Sequence, residues 1–161
     1  MGRERDERLT ELEALYRGRF GDFLHVATAI VGNEERAHDA VQDAFASAVR
    51  SIEKYRGDGE LAAWVWHIVL NAARLERRRG SRRDPTVHEA STNGHVNDPT
   101  AVRAAIAALP ERQRQVLFLR YYADLDYAAI AAALDVSSGT VGATLNQAHA
   151  ALRTRLEEYR S

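Results

Sequence analysis

The chain has 161 residues, 45% of them hydrophobic, which suits one ordinary domain or two small ones with packed cores. Its 22 basic and 23 acidic side chains nearly cancel, so net charge alone implies no strong nonspecific affinity for nucleic acid. The absence of cysteine excludes a disulfide framework, thiol redox chemistry and a zinc knuckle. The longest aliphatic run, Ala128–Leu134, is far shorter than the ~20 residues a spanning helix needs. The opening Met-Gly-Arg-Glu-Arg-Asp has no apolar signal segment, so the expectation is a cytoplasmic protein without membrane insertion.

Along the chain, apolar residues recur at helical steps and no run alternates with the period of a strand, which predicts an all-α fold. Leu9, Leu12, Leu15, Tyr16, Phe20, Phe23, Leu24, Ala27, Ile30 and Val31 mark a first helix that Gly32-Asn33 ends, with Asn33 placed to cap the next. Ala37, Val41, Ala44, Phe45, Ala48 and Ile52 mark the second. Arg56-Gly57-Asp58-Gly59 reads as a loop. A third helix carries Leu61, Val65, Ile68, Ala72 and Leu75 on one predicted core face.

Residues 84–100, DPTVHEASTNGHVNDPT, have proline near both ends, few large apolar residues and no periodicity. They read as a flexible linker between two helical lobes, residues 1–83 and 101–161, in an open arrangement. In the second lobe Val102, Ala105, Ile106 and Leu109 form a short amphipathic set, and Pro110 suits the first position of the next helix. Asp126 is placed to cap a helix ending at Leu134. After the turn Asp135-Val136-Ser137, a last helix turns Val141, Leu145, Ala148 and Leu152 inward. Two helices joined by so short a turn predict a helix-turn-helix.

Three constellations carry chemistry. Trp64, His67, Asn71, Arg74 and Arg78 step by three and four along the third helix and make one stripe about 21 Å long. The stripe leads into a basic cluster that includes Arg77. Aromatic rings stack on unpaired bases and guanidinium groups neutralise phosphates, so the pattern points to nucleic acid. A solvated helix face with Trp64 packed inside is the plainer alternative. In the last helix Ser138, Thr140, Ala143, Thr144, Asn146 and Gln147 are expected on the outer face, where Asn and Gln suit adenine edges. No Lys or Arg lies between Arg120 and Arg153, however, and phosphate contacts dominate DNA affinity. A helical hairpin used for protein contacts stays open. In the second helix Asp39, Gln42 and Asp43 cluster at i, i+3, i+4, a pattern most often found on a docking face. The six histidines are dispersed, and no phosphate loop or nucleophile elbow occurs, so neither an enzyme nor a metal or other cofactor site is expected.

Taken in order, several segments resemble the two conserved regions of extracytoplasmic-function (ECF) RNA polymerase sigma factors. In the first lobe these are Gly32-Asn33-Glu34-Glu35-Arg36-Ala37, Asp39-Ala40-Val41-Gln42-Asp43-Ala44-Phe45 and Ala63-Trp64-Val65-Trp66-His67-Ile68 with Asn71. In the second they are Leu109-Pro110-Glu111-Arg112-Gln113-Arg114-Gln115-Val116-Leu117, Arg120-Tyr121-Tyr122 and Gly139-Thr140-Val141. The resemblance implies a sigma region 2-like bundle and a region 4-like helix-turn-helix domain. Asp39, Gln42, Asp43 and Phe45 would dock on the β′ clamp helices of RNA polymerase core. Trp64, His67, Asn71, Arg74, Arg77 and Arg78 would read the minus-ten element of promoter DNA as single strand. Ser138, Thr140, Thr144, Asn146 and Gln147 would read the minus-thirty-five element, in a lobe that also docks on the β flap. It also implies an anti-sigma factor as partner and a place at the nucleoid. Gly142, Thr144, Gln147 and His149 stand where the family usually has Lys or Arg, and Asp135 stands where its turn usually has Gly. A second class therefore stays open: a sigma-like interaction module, with weakened upstream reading, that docks on polymerase or an anti-sigma factor.

Overall fold

The computed structural model describes residues 1–57, 59–83 and 99–160, without the side chains of 81–83, 99 and 100. Among these residues it has α-helices and one 3₁₀ turn, and no strand. The helices are α1 (Gly2–Val31), α2 (Glu34–Arg50), α3 (Leu61–Arg83), α4 (Pro99–Ala107), α5 (Glu111–Tyr121), α6 (Tyr127–Leu134) and α7 (Ser138–Arg160), with the 3₁₀ turn at Ile52–Lys54. The greater part of the linker segment, and Asp58 in the loop before α3, lie outside the described residues.

Local chemistry sets most of the boundaries. Gly32 closes α1 at φ 84°, where a side chain would be strained, and its N–H reaches the Thr28 carbonyl. One residue later the Asn33 side chain accepts the Arg36 N–H at 2.9 Å and starts α2. Asp126 caps α6 by accepting the Ala129 N–H at 2.8 Å, and the Ser137 hydroxyl does so for α7 with the Thr140 N–H at 3.1 Å. Pro110 stands just before α5 as its cap, one position earlier than the sequence suggests. Asp135 takes the left-handed conformation at the end of α6, φ 56° and ψ 49°. A turn of three residues then bends α6 from α7 by 99°, within the range of a helix-turn-helix.

The first lobe packs α1, α2 and α3 together. At its centre Phe23 lies 4.2 Å, centroid to centroid, from Trp66 and meets Phe45 edge-on at 5.1 Å. Both Phe23 and Trp66 are fully buried, and each such side chain contributes about 2–3 kcal/mol by leaving water. The second lobe closes α5, α6 and α7 around Val116, Leu119, Ile130, Val141 and Leu145.

The core face of α3 and the placement of the lobes also differ from the sequence expectation. The core face of α3 is Val65, Trp66, Val69, Leu70 and Ala73, while Leu75 is 46% exposed and Ile68 and Ala72 are half-buried. The reason is that α3 is covered on two flanks, by α1 and α2 on one and by α6 on the other. The lobes are also not apart. Besides the α3–α6 contact, Arg19, at a kink in α1 between Gly18 and Gly21, donates to the Ala123 carbonyl, and His25 stacks on Tyr122 at 5.7 Å.

Phe45 is 6% exposed, so its ring is core, between Tyr16 and Phe23, and it is not part of an outer docking face. Phe45→Ala is therefore expected to lower stability by about 3–5 kcal/mol, read as an earlier urea midpoint, whereas Asp43→Arg on the exposed face should leave the midpoint within about 0.5 kcal/mol.

Candidate nucleic-acid interface

The stripe predicted on α3 exists as one face, and it lies at the seam between the lobes. Trp64 is half-buried beside Tyr55, with ring centroids 5.6 Å apart. Four residues on, His67 Nδ1 donates to the Ala133 carbonyl of α6 at 2.9 Å. Its Nε2 is then the acceptor, and the exposed Asn71 donates to it at 3.1 Å. This network places a ring proton on Nδ1. Arg74 Nη2 donates to Gln115 Oε1 at 2.6 Å, and its Nε lies 3.4 Å from Glu111 Oε1. Arg77 Nη2 meets Glu111 Oε2 at 3.0 Å. Arg78 and Arg79 are exposed.

Glu111 holds this arrangement from the first turn of α5. Burial works against its charged form, but the Arg77 hydrogen bond and the charges of Arg77, Arg74 and Arg114 outweigh it and hold the carboxyl below its ordinary range. Arg74 is shifted down, chiefly by burial and secondarily by Arg112, Arg77 and Arg78, against the pull of Glu111. Gln115 is 1% exposed, and both ends of its amide are used: it accepts from Arg74 and donates to Glu111 Oε1 at 3.0 Å. Sequence periodicity passed over Glu111 and Gln115 because their partners are some 35–40 residues away. Unlike-charge complementarity between α3 and α5 was the available signal.

Gly80 serves the same helix from its other side. Arg36 of α2 donates through Nη2 to the Glu76 carbonyl at 2.6 Å and pairs through Nε with the Glu76 carboxylate at 3.0 Å. A Cβ on Gly80 would overlap the Arg36 guanidinium.

The α2 cluster divides. Asp39 and Asp43 are exposed and have no ion-pair or hydrogen-bond partner among the described residues. Gln42 is half-buried and donates to the Tyr16 hydroxyl at 2.7 Å. Phe45, as described above, faces inward.

In α7, Ser138, Thr140, Asn146 and Gln147 are exposed. Thr144 is not: at 8% exposure it faces the lobe's own core and is withdrawn from the outer set. It falls one helical turn from Val141 and Ala148, which are also buried, so the inner stripe of α7 is wider than the apolar residues alone indicate. His149, the nearest group to a cation on this face, has Nε2 2.8 Å from the Tyr121 hydroxyl.

Residues 15–83 match the model of Sigma-70 region 2, and residues 100–152 match that of Sigma-70, region 4. The ECF RNA polymerase sigma factor EcfG of Rhodopseudomonas palustris is 30% identical over 138 residues, covering 81% of this chain and 76% of that one. The chain belongs to the ECF sigma factors. It is a transcription initiation factor, of a family that is not enzymatic. Two solved structures share its fold at 21% identity. One is CnrH in complex with the cytosolic domain of CnrY, with a TM-score of 0.74 over 98% of this chain and 94% of the other. The second is RpoE in complex with the anti-sigma factor NepR from Bartonella quintana, with a TM-score of 0.69 over 98% of both chains. Among the described residues no single helix is long and apolar enough to cross a membrane.

Outcomes of two kinds follow for this sigma factor, the first from substitution in α7. Thr144→Arg places a charge in the core and is expected to destabilise the chain by about 3 kcal/mol or more. Gly142→Lys meets only the Tyr127 ring at an ordinary 3.5 Å, and it should raise the melting temperature slightly while steepening the salt dependence of DNA binding by about 1 in log–log slope. The second outcome concerns pH. A carboxyl held low by its partners stabilises their contact above the ordinary value of 4.5, and that contribution is lost as pH falls through the depressed value. Small-angle scattering is expected to show the lobes separating on acidification through that range, with the acid-linked step diminished in Glu111→Gln.

Proposed function

We propose that this sigma factor binds RNA polymerase core, directs it to its promoters and opens them, through two surfaces on the first lobe and one on the second. The observation that carries this proposal is the α3 stripe. A half-exposed Trp64 beside Tyr55, an exposed Asn71 and four guanidinium groups at Arg74, Arg77, Arg78 and Arg79 share one helix inside the region 2 match. Stacked single-stranded bases are worth about 1–3 kcal/mol each, and no catalytic step is needed to hold them. Asp39 and Asp43, exposed and unpaired on α2, supply a docking face for a basic surface such as the β′ clamp helices, with Gln42 at its margin. Ser138, Thr140, Asn146 and Gln147 supply the minus-thirty-five reader, in a lobe that docks on the β flap. The protein has no catalysis of its own and works in the cytoplasm at the nucleoid. An anti-sigma factor as regulator is supported by the NepR complex of its structural neighbour. A docking module that no longer reads DNA is the less favoured alternative, because the region 4 match runs through the whole helix-turn-helix.

Run-off transcription with purified polymerase core and a genomic promoter library tests the proposal. Asp39→Arg and Asp43→Arg are expected to weaken core binding by about 2 kcal/mol, measured by fluorescence anisotropy. Asn71→Ala should leave folding and core binding intact and reduce open-complex formation, measured by permanganate footprinting. Normal opening by a folded Asn71→Ala protein would remove Asn71 from the reading face.

A further inference from the structure

The start of α1 reaches the loop that precedes α3. The region 2 match begins at residue 15, so Arg8 lies outside it. Yet the Arg8 side chain is only 22% exposed, whereas Arg3 and Arg17 of the same helix are 94% and 78% exposed and pair along it with Glu7 and Glu13. Arg8 Nη1 donates to the Tyr55 carbonyl at 2.9 Å. Its guanidinium carbon also sits 5.5 Å from the centre of the Tyr55 ring, within the range of a cation–π contact. One turn back on α1, Glu4 accepts from Arg8 Nη2 at 2.8 Å and orients the guanidinium. Tyr55 itself ends the 3₁₀ turn, with its N–H on the Ile52 carbonyl at 3.2 Å, and its hydroxyl donates to the Gly59 carbonyl across the loop. The same ring lies 5.6 Å from that of Trp64. The contacts thus run in series: Glu4 orients Arg8, Arg8 holds the backbone and ring of Tyr55, and Tyr55 abuts the indole of Trp64.

We propose that Arg8 is a positioning residue for minus-ten reading: it acts from α1, through Tyr55, to hold Trp64 ready for an unpaired base. The proposal rests on the reading role of the α3 stripe given above and adds a residue that the region 2 match does not contain. A stacking ring binds best when its orientation is set before the base arrives, because a side chain that must lose rotamer freedom on binding gives up affinity. Trp64 is half-buried, so one part of its indole is packed and another is open to a base. Anchoring of the 3₁₀ turn to the lobe does not by itself call for Arg8. Ile52 is buried at 1% exposure, and Arg5 pairs with Glu53 at 3.5 Å. What Arg8 adds is a charged donor on the Tyr55 carbonyl and a cation beside its ring, contacts that restrain the residue touching Trp64.

The test compares Arg8→Ala with Arg17→Ala, which removes the same charge from an exposed pair on the same helix. The first readout is acrylamide quenching of tryptophan fluorescence in the full chain. The chain has two tryptophans. Trp66 is fully buried, so a change in quenching reports Trp64. Arg8→Ala is expected to raise the quenching constant and Arg17→Ala to leave it unchanged. The second readout uses holoenzyme assembled with each chain. Its probe is a labelled single-stranded oligonucleotide with the minus-ten sequence of a promoter that run-off transcription selects, set against the same bases in scrambled order. Arg8→Ala is expected to reduce the preference for the selected oligonucleotide about fivefold, the lower end of what one stacked base contributes. A residue that only stabilised the lobe would lower the melting temperature and leave that preference intact. Arg8→Gln, which keeps a long side chain of good helix propensity, is expected to shift both readouts in the same direction and decides the matter if Arg8→Ala does not fold. A folded Arg8 variant with native quenching or native preference overturns the positioning role, while the preference of the native holoenzyme leaves the reading role standing. A native holoenzyme that binds the selected and scrambled oligonucleotides equally overturns both.

Discussion

Helix α3 is shared between two packing layers, and the rest of the molecule is arranged around that constraint. Its buried face, Val65, Trp66, Val69, Leu70 and Ala73, is set against α1 and α2, with the Phe23–Trp66 contact at the centre. A neighbouring face carries His67, Arg74 and Arg77 to α5 and α6. One helix therefore fixes the first lobe's core and the seam with the second lobe at once. A helix in that position has little freedom to drift, because a small rotation would lift Trp66 out of its pocket and pull Arg74 off Gln115. The polar stripe is held in register by the apolar one.

The electrostatics follow from that geometry. The chain is nearly neutral overall, but α3 carries four arginines between Arg74 and Arg79, and Glu111 is set among Arg74, Arg77 and Arg114. α7 carries no Lys or Arg before Arg153, and His149 is engaged with Tyr121. Arginine is thus denser along α3 than in the first four turns of α7, where the exposed polar groups are hydroxyls and amides. The same distribution makes the seam consequential: a single carboxylate, Glu111, engages both Arg74 and Arg77.

Much of this was legible before any coordinates. The all-α class, the Asn33, Asp126 and Ser137 caps, the helix-turn-helix and the family itself follow from local signals: short-range hydrogen-bond chemistry at helix ends, apolar steps of three and four, and motif order along the chain. These depend on residues within a turn or two of each other, and a linear sequence carries that information directly. Which side of a helix is covered by which neighbour is a different kind of fact. Phe45 and Thr144 stand at positions that motif matching assigns outward, yet one is an aromatic core residue and the other closes a helix packing face.

The sequence by itself determined the helices, their ends and the order of the two sigma regions, because each is written in neighbouring residues. Only the tertiary structure decided that Leu75 is exposed while Leu70 is buried, that Gln115 is a core polar residue, and that Arg74 and Arg77 face Glu111. Those outcomes depend on two helices more than thirty residues apart meeting at a particular rotation. Periodicity reports the apolar face of each helix alone; the partner that covers a second face, and the charge that partner brings, exist only once the lobes have packed.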